Sequence, residues 1–215
     1  EAEGAILAHS VRHGSGTFKK GRVLSLADIS ALRSAGVDRV FAARLAADDV
    51  PEDKAAAAVA QVIAGEATRA QAPFTGRANL HATERGIAIV DTARVSALNR
   101  LHESLTLATV APYAVVDRRE MVATVKVIPF AVPASVLQEA LRIAGSEPIV
   151  RVEAFSGKRA GLVITRLPQT KPSLIAKSED AMRECVAALG GTLAQVLLVD
   201  HAIDNVGRIG VGGRM

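Results

Sequence analysis

The stretch Gly161–Met182, GLVITRLPQTKPSLIAKSEDAM, joins a short apolar run to an amphipathic one through a loop of hydroxyls and cations. LVIT is apolar and β-branched and reads as a buried strand. SLIAKSEDAMRECVAALGG reads as a helix closed by Gly190, and LAQVLLVD after it is a second apolar run. Strand, helix and strand at this spacing make a βαβ unit, whose two strands run parallel. Working outward, the chain divides into a β-rich module over 1–65, a mixed α+β module over 66–148, and the start of an α/β domain over 149–215, so the expected class is α+β / α/β.

The first module reads as hairpin, short helix and strand. HGSG (13–16) is a turn, and Ser25 with Asp28 three residues on resembles a capping box with Asp in place of the usual Glu. Gly36 sits at a helix C-terminus, and Leu26, Ile29 and Leu32 recur on one buried face. DRVFAARL follows as a strand. The next helix has Pro51 at its first position and Gly65 just past its end. In the second module GIAIVD is a short strand and Asp91 caps a helix whose apolar positions are Val95, Leu98 and Leu101. SLTLATVAPYAVV and MVATVKVIPFAV flank the turn DRRE, which predicts an antiparallel hairpin. Within it Lys126 alternates with the valines and faces outward with Thr124 and Ile128. Pro133 opens another helix ending near Gly145. FTGRANLHA, carrying Thr75, Gly76, Arg77, Asn79 and His81, is polar enough to read as a surface loop turning at Gly76.

Composition narrows the function classes. Of 215 residues 49% are apolar, yet there are five Phe, one Tyr and no Trp, so the core is aliphatic and offers little for stacking nucleobases. The net charge of +4 is spread along the chain, and no nucleic-acid partner is expected. Cys185 is the single cysteine, which excludes an internal disulfide, and it reads as a core residue. No apolar run approaches the roughly 20 residues that span a bilayer. With no disulfide, a cytoplasmic, membrane-free location is expected. No helix carries a histidine pair at the i, i+4 spacing used for zinc, so no metal site is expected. There is no G-x-S-x-G elbow and no P-loop lysine, and no catalytic constellation emerges. The final GRIGVGGRM reads as a frayed or truncated tail.

One position remains suited to a ligand. The loop after LVIT lies at the carboxyl edge of parallel strands, where open α/β sheets bind ligands. Thr165 and Thr170 supply hydroxyls, Arg166 and Lys171 supply charge, and Ser173 can cap a helix whose amino end favours an anion. That inventory suits a phosphate-bearing ligand, and equally an ordinary strand-to-helix connection with solvated cations.

The order of residues carries a resemblance. EAEGAILAHSVR, KKGRVLSLADISALRSAGVDRVFAARL, FTGRANL, MVATVKVIPFAVP and LVITRLPQTKPSLIAKS together resemble the bacterial molybdopterin-binding proteins related to the molybdenum-insertion enzymes of molybdenum-cofactor biosynthesis, over nearly the whole chain to about His201. The resemblance implies a three-layer α/β domain that binds molybdopterin, or its nucleotide form, above the ends of its parallel strands. It implies that the binding edge runs from Thr165 to Lys177, with Thr170, Lys171 and Ser173 touching the phosphate or the pterin edge and His201 following the second strand. Where the insertion enzymes carry Gly-Asp after the hydroxyl residue, this chain has Arg166 and Leu167, which argues against molybdate insertion. Any chemistry would then be a transferase-type step. Nothing after His201 resembles the family's remaining strands or its Gly-rich loop, so a fragment, or a sheet completed by another chain, is expected. The implied partners are a nucleotidyltransferase, a target molybdoenzyme, or a second copy pairing with the bare strand edge.

Overall fold

A computed structural model of the chain describes residues 2–14 and 16–202. Its contacts group the chain into two compact units, Glu1–Glu153 and Ala154–Met215. The expected frayed tail GRIGVGGRM lies outside the described residues. Five helices among those residues combine with several small sheets, most of them antiparallel, giving a mixed α/β protein.

The first unit opens with β1 (Ile6–Leu7), β2 (Val11–His13), β3 (Gly16–Phe18), α1 (Leu26–Ser34) and β4 (Ala42–Ala43). β2 and β3 form the expected antiparallel pair, with His13 opposite Gly16. The capping box is present: Ser25 Oγ accepts from the Asp28 amide and the Asp28 carboxylate accepts from the Ser25 amide. Leu7, Leu24 and Leu32 are the buried centre of a small satellite core, with Ile29, Val37 and Val40 against it. Leu26, expected on the buried face of α1, is instead 65% exposed, and Asp28 is buried in its place. The cause is the carboxylate's bidentate pairing with Arg22, which satisfies a polar group on the inner side of the first turn. Of DRVFAARL only β4 is strand, paired with β1.

The unit continues with β5 (Asp49–Pro51), α2 (Glu52–Ile63), β6 (Thr68–Ala70), β7 (Arg77–Ala82), β8 (Gly86–Val90), α3 (Thr92–Leu101), β9 (Leu105–Thr109), β10 (Val115–Val116), β11 (Met121–Val127), β12 (Ala131–Pro133), α4 (Ala134–Ala144) and β13 (Val150–Ala154). An antiparallel sheet in the order β6, β7, β11, β9 is the frame. Ala78, Leu80 and Ala82 of β7 and Val122, Val125 and Val127 of β11 are buried, whereas Asn79, His81, Thr124 and Lys126 take the other face. α2 lies in the same core as the buried strand residues with Ala55, Ala56, Val59, Ala60 and Ile63 buried. Its alanines let the helix backbone approach closely. α2 begins at Glu52, with Pro51 as its cap residue.

FTGRANLHA is not a surface loop: Arg77–Ala82 is β7, between β6 and β11 in the sheet. Only its start is a turn, where Thr75 and Gly76 both have positive φ and Phe74 and Arg77 exchange backbone hydrogen bonds, as in a two-residue hairpin loop. The expected hairpin of β9 and β11 forms, but their connection is longer than DRRE, because the chain detours through β10 to pair with β8. Tyr113 makes that detour at φ +63 and stays 76% exposed. Asp91 caps α3 as expected, with Leu98 buried below.

Among the described residues the second unit comprises β14 (Arg159–Arg166), α5 (Pro172–Ala188) and β15 (Thr192–Asp200). The two strands pair in parallel, from Arg159 opposite Thr192 to Arg166 opposite Asp200, so the βαβ reading stands. A three-layer arrangement is not present among the described residues. LVIT, expected to be buried, is not: β14 alternates between exposed and half-exposed residues, and no residue of α5 is buried. Two strands and one helix lack the partners needed to enclose a sheet. Cys185, expected in the core, is exposed on α5 for the same reason.

Candidate functional site

In the second unit the carboxyl ends of β14 and β15 and the amino end of α5 enclose an open cleft of about 730 Å³. Arg166 lines it from the end of β14, Leu167 and Thr170 from the loop, Pro172 and Ile175 from the helix, Leu198 and Asp200 from β15, and His201 from just past β15. The parallel register fixes this arrangement, because it brings Arg166 directly opposite Asp200.

Thr165, the penultimate residue of β14, has its Oγ1 3.1 Å from His201 Nδ1, and the His201 amide donates to the Arg166 carbonyl at 2.9 Å. Among the described residues no third group is seen hydrogen-bonded to the imidazole. Arg166 Nε donates to Asp200 Oδ1 at 3.0 Å across the strand pair. Both side chains are half exposed or more, so water screens the ion pair and Arg166 brings less uncompensated charge than its type suggests. Thr170 closes the loop on itself: its Oγ1 accepts from the Leu167 amide and its amide donates to the Leu167 carbonyl.

α5 starts differently from expectation. Pro172 is its first residue and Lys171 its cap position, with no side chain accepting from the first-turn amides. Ser173 therefore falls inside the first turn and does not cap the helix, because proline fixes where the helix begins. The consequence is a 17-residue helix whose uncapped amino end opens beside the cleft.

Of the seven residues singled out on the sequence, Arg166, Thr170 and His201 line the cleft and Thr165 reaches it through His201. Lys171, Ser173 and Lys177 are not among its lining residues. Asp200 and Leu198 were missed; the only signal for them was their position at the end of LAQVLLVD. No group of three or more metal-ligating side chains occurs among the described residues. No helix among them is long and apolar enough to cross a membrane.

Residues 1–44 match a family described as a domain of unknown function (DUF8806), a span that ends one residue past β4 and contains the satellite core. Neither the curated proteins nor the solved structures contain a significant match to the chain.

Proposed function

We propose that the chain belongs with the bacterial molybdopterin-binding proteins and holds molybdopterin, or its nucleotide form, with the cofactor's phosphate in the cleft after Thr165. The observation that carries this reading is the opening of that cleft at the carboxyl edge of parallel strands, against an uncapped helix start. The phosphate would rest on main-chain amides, with Arg166 offsetting its charge from the lining, Lys171 adding to it from the cap position outside the lining, and His201 and Thr165 bounding the other side. The role is cofactor handling in the cytoplasm; a chemical step, if one occurs, is of transferase type.

Isothermal titration of the purified chain with molybdopterin tests this. Saturable heat is expected, weakened about tenfold or more in Thr165→Val and His201→Ala, and changed far less in Lys177→Ala. Absence of heat up to about 0.5 mM cofactor ends the proposal.

A second reading, that this unit is an interaction module for a nucleotidyltransferase or a molybdoenzyme, is favoured by its uncovered apolar side chains, among them Leu174, Met182, Leu189 and Leu198. It predicts a complex recovered by pull-down with such a partner and unaffected by Arg166→Ala or Lys171→Ala.

A further inference from the structure

We infer that the first unit contains a separate anion-binding site, in the cleft lined by Arg69, Arg118, Arg119 and His81, and that its ligand is a small molecule bearing a phosphoryl group. The site is independent of the cleft after Thr165.

The cleft has a volume of about 480 Å³, within the range of small-molecule sites. Sheet pairing builds it from segments about fifty residues apart. Arg69 of β6 stands opposite His81 of β7. The turn 117–120 is closed by the Glu120 amide donating to the Asp117 carbonyl, and it is pinned to the end of β7 by the Arg119 amide donating to Ala82 O at 2.8 Å. Gln71 and Thr83 add neutral polar groups to the wall.

Charge is the first argument. Three arginines line this cleft, and among the described residues no acidic residue does. The acids of the neighbouring turn are engaged elsewhere: Asp117 pairs with Arg85, and Glu120 Oε2 accepts from the Asp117 amide. No carboxylate partner is seen for Arg69, Arg118 or Arg119 among the described residues, so their charge is not offset within the chain. Gathering three like charges is unfavourable for the chain alone and becomes favourable when an anion joins them.

Two further observations point the same way. The Nδ1 atom of His81 is buried without a hydrogen-bond partner, a cost the fold carries in the wall of this cleft. Arg119 adopts φ +73 at the third position of its turn, where glycine is the undemanding choice. A long cation held there against its backbone preference is the kind of local strain found at ligand sites. The number of donors selects the ligand class. One guanidinium fork satisfies a carboxylate, whereas three forks match the three terminal oxygens of a phosphoryl group.

The test uses the whole chain with 15N-labelled histidine, titrated with inorganic phosphate at low salt and, in parallel, with acetate. The His81 ring signals should shift saturably with phosphate and not with acetate, while those of His102 stay in place. Arg118→Ala/Arg119→Ala, and separately Arg69→Ala, should raise the half-saturating phosphate about tenfold or more, with far-UV circular dichroism unchanged because all three side chains are exposed. Arg166→Ala should leave the titration as it is, which separates this site from the proposed cofactor cleft. Shifts that are linear, equal for acetate, or unchanged in the arginine variants would overturn the inference.

Discussion

Asp28 shows how one side chain can set the acid limit of a module. Hydrogen bonding from Arg22, then from the Ser25 amide, holds its carboxyl down to about 2 from an ordinary 3.8, against the opposing effect of burial. A carboxyl that binds its proton more weakly in the fold than in the open chain favours folding above its ordinary value. That contribution is lost as pH falls through about 2. Asp28→Asn should therefore melt lower than the parent at pH 7, with the gap closing as pH falls through about 2. A gap of equal size at both ends of that range would refute the linkage. Gly76 is a second decisive residue. At φ +70, a Cβ there would meet Val127 O at 2.5 Å, so Gly76→Ala should cost about 2 kcal/mol or more in urea unfolding.

At the scale of elements, Arg94 ties three of them together. From the first turn of α3 its Nη1 donates to Ala144 O and Glu147 O, both at 2.6 Å, and its Nη2 to Pro148 O at 3.0 Å, joining the end of α4 and the approach to β13. Asp91, the cap of α3, holds the guanidinium in place at 2.8 Å. Arg94→Ala strands these carbonyls and should cost about 2–3 kcal/mol by denaturant titration. Arg94→Lys should recover little, because an ammonium cannot reproduce the fork. Elements of this local kind were legible in the sequence. The capping box of α1 and the Asp91 cap of α3 depend on residues three apart, and the βαβ unit depends on run lengths and spacing. β7 was not legible, because its buried face is Ala78, Leu80 and Ala82, too small to stand out among Arg77, Asn79 and His81. Ser173 failed as a cap because proline, one residue earlier, overrides hydroxyl preference.

At the scale of the whole molecule, burial depended on partners that no local pattern reveals. LVIT has the composition of a covered strand, yet its sheet has two strands among the described residues. α2, assigned with the first module on the sequence, is part of the core of the segment that follows it. The candidate site was half legible. Thr165, Arg166, Thr170 and His201 come together because strand ends and their loop share one edge. Lys171, Ser173 and Lys177 required knowing where the helix begins. The uncovered strands of the second unit carry a further expectation, that the chain self-associates. Its sedimentation coefficient should rise between about 1 and 100 μM, and a constant monomeric value over that span would contradict it.

The aliphatic interior and the outward Tyr113 also decide how unfolding can be watched. With no tryptophan, and its single tyrosine already 76% in water, the folded chain has almost no intrinsic emission or near-ultraviolet signal left to lose. A fluorimeter would record little while the helices melted, so a flat trace in a thermal-shift screen by native fluorescence would say nothing about integrity. Backbone circular dichroism, or a reporter indole placed beside Leu98, is the appropriate witness.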